Sequence, residues 1–188
     1  MVEILSEIKN LFAKAIILWP DTKFGNKLRC WLYRRALGKL GANAKIESGV
    51  LFGQPNTIEI GDNCLFGRNV NVNAGPCYGI FIGNDTALAE GTYIRSANHS
   101  FGILDVPILN QGHYAKKIEY NGRFYSIVIE NNVWVGAHAI ILSGAKIGTG
   151  SIIGAGARVS GEIPPYSIVV GNPGVIIATR EERVKRSI

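Results

Sequence analysis

Six apolar residues, Ile129, Val135, Ile141, Ile147, Ile153 and Val159, follow one another at intervals of six without a break. Neither an ordinary helix nor an ordinary strand repeats at that period. Ala139, Ala145, Ser151, Ala157 and Ile163 stand four residues after successive ladder positions. The pattern predicts a parallel β-helix, in which each hexad gives one short strand and the prism interior takes one large and one small side chain per repeat. The same phase runs upstream through Ile60, Phe66 and Val72, then Ile82, Leu88 and Ile94, with Cys64, Val70, Thr86, Thr92 and Asn98 in the second slot. Between Val72 and Ile82 the spacing widens to ten, which predicts a bulge around Gly75, Pro76 and Gly79. Ile46 and Phe52 open the first coil, Ile58 and Ile127 point inward two residues before a ladder position, and the prism is expected over most of Ile46 to Val170.

A chain of 188 residues with 47% apolar composition suffices for one packed domain of this kind. The expected division is a helical cap over 1–41, a β-helix over 42–173 with an arm loop at 100–126, and a basic tail over 174–188. Three cysteines cannot all pair, and Cys64 in a small inward slot suggests reduced thiols in a cytoplasmic protein. The N-terminal segment has no signal-peptide order, and Glu3, Glu7, Lys9 and Lys14 interrupt its apolar run, so neither export nor a membrane span is expected. Ile4, Leu5, Ile8, Leu11, Phe12, Ala15 and Ile16 nevertheless recur at helical spacing, and a second, basic helix is predicted from about Lys23 to Leu37 with Lys27, Arg29, Arg34 and Arg35. Two uses are open for this pair: capping the open end of the prism, or lying on an anionic membrane surface. The net charge of +6 comes without a nucleic-acid-binding pattern, so a phosphate-bearing small ligand accounts for it better than nucleic acid. The C-terminal Arg180, Arg183, Lys185 and Arg186 form either a solvated face or part of a phosphate site.

Repeats are scaffold, and chemistry is to be sought where they break. The largest break begins at His99 and leaves roughly Ser100 to Tyr125 as an arm before Ile129 resumes the ladder. An imidazole at the base of such an arm suits a general base, the alternative being a corner cap that bonds a loop carbonyl. His113, inside the arm, and His138, at an outward hexad position, are expected to be surface or loop-packing residues. No cysteine cluster and no His-x4-His spacing is present, so no metal is expected.

The hexads, the His99 break, Val133-Trp134-Val135-Gly136, Ile-Gly-Ala-Gly at 153–156 and Glu-Ile-Pro-Pro-Tyr-Ser-Ile-Val-Val-Gly-Asn-Pro at 162–173 together resemble the hexapeptide-repeat sugar O-acetyltransferases, over about Ile46 to Arg180. The resemblance implies a mainly β, left-handed parallel β-helix, a homotrimer with active sites between subunits, acetyl-CoA as acyl donor and a sugar or glycan hydroxyl as acceptor. It implies His99 as catalytic base, a backbone N–H near Ala137 of a neighbouring chain for the oxyanion, and Asn73 on the sugar. Asn73 has the alternative of a structural Asn ladder. Asp85, Glu90 and Asp105 are candidates to orient His99. The pantetheine is implied to run against Trp134, Gly136, Ala137, Gly154 and Ala155, with Arg158, Ser160 and Arg180 toward the phosphate end. Gly161 stands where the family often has Lys, and Gly174-Val175 where it has Ala-Lys, which weakens the expected grip on the 3′-phosphate. Aminosugar N-acetylation and a non-catalytic trimeric scaffold are the rival expectations.

Overall fold

The computed structural model describes residues 11–186. Three parallel sheets close a prism. The first face takes Lys39–Leu40, Ile58–Ile60, Gly79–Ile82, Arg123–Ile129, Lys146–Ile147 and Glu162–Ile163; the second takes Lys45–Ile46, Leu65–Phe66, Ala87–Leu88, Trp134–Val135, Ile152–Ile153 and Ser167–Val170; the third takes Leu51–Gly53, Asn71–Asn73, Tyr93–Arg95, Ile140–Leu142 and Arg158–Val159. The ladder residues stack in register. Ile60, Ile82, Ile129, Ile147 and Ile163 form one column, Phe66, Leu88, Val135, Ile153 and Val169 a second, and Phe52, Val72, Ile94, Ile141 and Val159 a third. All but the partly buried Phe52 are buried, so the columns constitute the core.

The second slot holds small or hydroxyl-bearing side chains because the corners leave little room. Cys64, Val70, Ala139, Ala145 and Ala157 are buried there. Thr86 and Thr92 fit the same slot because their hydroxyls donate to backbone carbonyls, that of Thr86 to Glu130 O of the next coil at 3.1 Å and that of Thr92 to Ala89 O at 2.7 Å.

Two ladder assignments change. Ile163 lies in a large-residue column, paired with Ile147, because only a two-residue turn, Ser160 and Gly161, separates the strands Arg158–Val159 and Glu162–Ile163. Asn98 is exposed and pairs with Tyr114 in the arm, because the chain leaves the prism after Arg95. Ala97 takes the buried place instead, packed where Gly75 has no side chain to obstruct it. The prism also begins earlier than expected, with Leu40 paired to Ile60.

The basic helix is observed at Lys23–Ala36, with Thr22 Oγ1 accepting from the Gly25 N–H at 3.0 Å. Its Cys30 and Tyr33, followed by Leu37, join the prism core, and the Tyr33 hydroxyl donates to Val50 O at 2.5 Å. Residues 11–18 are also helical, with Ile16 buried; Ile4, Leu5 and Ile8 lie outside the described residues. Arg29, one of the basic residues expected of this helix, is 1% exposed. It donates to the carbonyls of Ile46 and Trp19 and pairs with Asp21 at 2.9 Å, fastening the helix to the first coil. Within the expected basic tail, Val175–Thr179 runs antiparallel to Ser167–Val170 and leads into a helix at Arg180–Arg186. Among the described residues no helix is long and apolar enough to cross a membrane.

Candidate active site

On the third face Asn73 ends one strand, Arg95 ends the strand of the next coil beside it, and His99 follows four residues on, at the start of the arm. Asn73 pairs in register with Gly53 below and Arg95 above. A Cβ on Gly53 would stand 2.7 Å from Asn73 Cγ, so the Asn73 carboxamide lies over a residue that has no side chain. The Ser96 N–H donates to Asn73 O at 3.1 Å, and Arg95 Nε donates to Ala97 O at 3.1 Å, tying the strand ends to the start of the arm. Neither Gly53 nor Arg95 was anticipated; a Gly one coil before Asn73 and a cation on the His99 strand exit are the signals that would have found them.

The arm is structured. Asn98–His99 pairs antiparallel with His113–Tyr114, so that His99 stands opposite His113 with ring centroids 4.7 Å apart. His113 is exposed, as expected of it, and its contact is with the candidate base. His99 is partly buried, and its Nδ1 is shut from solvent without a hydrogen-bond partner among the described residues. Asp85, Glu90 and Asp105 therefore do not orient that nitrogen; Asp85 Oδ1 instead accepts from Asn63 Nδ2 at 2.9 Å. The arm returns through a hairpin, Ile118–Tyr120 against Arg123–Ile129, whose second strand begins inside the expected arm of 100–126 and runs on into the first face. Arg123 pairs with Glu59 at 2.7 Å, and the Tyr125 hydroxyl donates to the same carboxylate at 3.1 Å. Burial first, then the Glu59 charge, pushes that hydroxyl's pKa upward, so it stays a donor. His138 is exposed at a left-handed turn (φ 56°), its ring lying over Gly91.

Trp134, Gly136, Ala137, Gly154 and Ala155 come together at a different edge, between the second and third faces. Trp134 is 55% exposed beside its strand partners Ala87 and Ile152. Gly136 admits no side chain, because a Cβ would stand 2.6 Å from Ala155 N. Its N–H donates to Ile153 O, and that of Gly154 to Val169 O, both at 2.7 Å, which leaves a flat strip of small residues. No group among the described residues accepts from the Ala137 N–H. Arg158 and Ser160 line one shallow cavity of about 470 Å³ with Pro173 and Gly174, and Arg158 Nε donates to Asn172 Oδ1 at 2.7 Å. Arg180 does not join them. The antiparallel strand Val175–Thr179 carries it back to the corner of the first and second faces, where it donates to Gly150 O at 3.0 Å.

One chain thus places His99 and the glycine strip on opposite edges of the third face. Among the described residues no group of three or more His, Cys, Asp or Glu side chains is arranged to hold a metal ion.

Known proteins built on the same hexad prism give the class to which the chain belongs. Residues 126–161 match the family of bacterial transferase hexapeptides (six repeats), and 57–96 match the hexapeptide repeat of succinyl-transferase. The galactoside O-acetyltransferase of Escherichia coli is 32% identical over 156 residues, covering 82% of this chain and 70% of the relative. That of Lactococcus lactis is 32% identical over 133 residues, covering 63% of this chain and 61% of the relative. Among solved structures, a galactoside acetyltransferase in complex with coenzyme A superposes with a TM-score of 0.70 at 26% identity, covering 95% of this chain and 82% of that one. A hexapeptide-repeat acetyltransferase from Vibrio cholerae, complexed with acetyl-coenzyme A, gives 0.69 at 26% identity over 92% of this chain and 88% of that one. The chain belongs to the hexapeptide-repeat acyltransferases related to galactoside O-acetyltransferase, and its prism is the left-handed β-helix of that family.

Proposed function

We propose that the protein transfers an acetyl group from acetyl-coenzyme A to a sugar hydroxyl, with His99 as general base. The observation that carries this reading is the placement of His99 at the break of the ladder, backed by His113, with Asn73 on the same edge. With Nδ1 shielded, Nε2 is the nitrogen left to meet an acceptor. A sugar hydroxyl is a poor nucleophile until its proton is removed, and a neutral imidazole removes it as the oxygen attacks. The thioester supplies an electrophilic carbonyl and a thiolate leaving group. His99 Nε2 takes the hydroxyl proton as the C–O bond forms, and gives it to the sulfur as the C–S bond breaks, so no covalent enzyme intermediate is needed. Asn73 holds the sugar beside the imidazole. The unpaired Ala137 N–H of a neighbouring copy is the donor for the oxyanion, since a fixed amide aimed at developing charge lowers the barrier without reorganisation.

The donor fits the strip of Gly136, Ala137, Gly154 and Ala155, where absent side chains let a narrow pantetheine lie along the backbone beside Trp134. Arg158 and Ser160 take the phosphate end, whereas Arg180 stands at another corner of the same chain with one N–H on Gly150 O. The base and the strip lie on opposite edges of one face, which supports a homotrimer whose sites form between copies. The acceptor in this reading is a surface polysaccharide or lipid-linked glycan, met at the cytoplasmic side of the membrane.

The test is release of free CoA thiol from acetyl-coenzyme A with a panel of sugars and aminosugars, comparing wild type with His99→Ala. Sugar-dependent release that falls by about two orders of magnitude or more in the variant supports the reading. Turnover confined to aminosugars replaces O- by N-acetylation, activity indifferent to the substitution removes His99 from the mechanism, and neither turnover nor CoA binding makes the chain a scaffold.

A further inference from the structure

The helical end of the prism carries an apolar groove that acyl transfer leaves unused. Phe12 and Trp19 face Phe24, Leu28 and Trp31 from the helix Lys23–Ala36, around a space of about 560 Å³. Phe12 is 66% exposed and Phe24 58%, and Leu11 and Leu18 stand out beside them at 70% and 69%. Large apolar side chains clustered on a surface mark a contact site.

The rim selects the occupant. Lys27 lines the groove, and the Arg35 guanidinium lies 4.1 Å over the Trp31 ring. Lys23, also exposed, stands one turn before Lys27 on the same helix. Asp21 is the single carboxylate between residues 11 and 37, and it is engaged by Arg29 at 2.9 Å, Arg68 at 2.6 Å and Ser48. The rim is therefore cationic, with its local counter-charge turned inward. A second copy of this face would set cation against cation, and a neutral apolar partner would leave the lysines uncomplemented.

We infer that this end of the molecule docks on an anionic lipid surface. Phe12, Trp19, Phe24 and Trp31 enter the boundary between headgroups and acyl chains, and Lys23, Lys27 and Arg35 meet lipid phosphates. Aromatic rings with a cation at their margin suit that boundary, which is apolar on one side and wet on the other. No described helix is long enough to cross, so the contact is interfacial. The docking rests on the glycan-acceptor reading only for its purpose: it would hold the arm near an acceptor anchored in the same membrane.

The experiment is flotation of the full chain with vesicles of phosphatidylcholine alone and of phosphatidylcholine mixed with phosphatidylglycerol, at low and high salt. The wild type is expected to float with the mixed vesicles only and to be released by salt. Lys23→Gln combined with Lys27→Gln weakens the binding roughly 30-fold, from about fivefold per cation near the surface. Phe24→Ser combined with Trp31→Ser abolishes flotation while the circular dichroism spectrum is retained. Acetyl transfer to a soluble sugar, assayed without vesicles, stays at the wild-type rate in all four substitutions, which separates failure of docking from failure of the acyl-transfer reading. Absence of flotation with the mixed vesicles, binding indifferent to the lysine substitutions, or a larger assembly in sedimentation that Phe24→Ser dissolves would each overturn the inference.

Discussion

The imidazoles of His99 and His113 face one another across two short antiparallel strands, their planes inclined by 33°. A ring whose Nδ1 has no hydrogen-bond partner is held by what packs on it, and His113 supplies that surface. Replacing His113 by Ala is expected to lower kcat for acetyl transfer about tenfold, as a loss of about 1.4 kcal/mol in positioning would. KM for acetyl-coenzyme A should be unchanged, and His113→Phe, which keeps a ring there, should restore most of kcat. Equal losses in the Ala and Phe variants would mean that a nitrogen of His113, and not its face, is what matters.

Trp134 contributes its backbone to the prism and its indole to solvent. Trp134→Ala should therefore raise KM for acetyl-coenzyme A roughly fivefold, the equivalent of about 1 kcal/mol of aromatic contact. The thermal midpoint should stay where it is, since no core contact is removed. A large fall in Tm at unchanged KM would assign the indole to packing between copies.

Asp21 sets an acid limit on the helical end. Burial raises its pKa, but the bonds from Arg68 and Ser48 and the charge of Arg29 outweigh burial and hold it below the ordinary 3.8. A depressed carboxylate contributes stability that is present above its unfolded value and lost as pH falls through the lower, folded one. Asp21→Asn should bring that loss to neutral pH, at a cost of about 3 kcal/mol, because Arg29 is left buried without its counter-charge. Urea unfolding of wild type and variant at neutral pH, then at descending pH, should show the two curves converging in acid.

Thiol reactivity should divide the three cysteines. Cys30 and Cys64 are buried, and burial pushes both thiols up, Cys30 against a partial offset from Arg34 and Arg29. Cys77 is exposed. Titration of the folded protein with an aromatic disulfide should label one thiol quickly, and labelling in denaturant should reach all three. Fast labelling of two or more in the native protein would mean that the first coils open far more readily than their packing implies.

The columns of the prism were readable because every coil repeats the same demand, a large apolar side chain at one position and a small one four residues later. Where a coil changes length the demand shifts, and the sequence carries no mark of it: Ile163 moved column because the preceding turn has two residues. His99 stood out as a break in a regular series, whereas its contact with His113 depends on how the arm closes on itself, which no period encodes. In the sequence Arg29 is one of several cations on a basic helix, and only the fold shows that Asp21 and two carbonyls draw it inward. That Arg180 lies apart from Arg158 and Ser160 in one chain follows from a strand that reverses direction and takes it to another corner, which no repeat encodes. The Gly53 beneath Asn73 lies one coil away and was legible in principle, from the register alone.

Ile82 pairs with Ile129, and Arg95 with Leu142, as though the arm between them were not there. Apart from a register shift between Tyr125 and Ile127, where the arm rejoins, the ladder keeps its phase on either side of the insertion, so changes at the outer end of the arm leave the core columns in place. Exchanging arms on a constant prism is then a way for such a lineage to diversify, and grafting a relative's arm onto this chain tests whether the arm sets the acceptor.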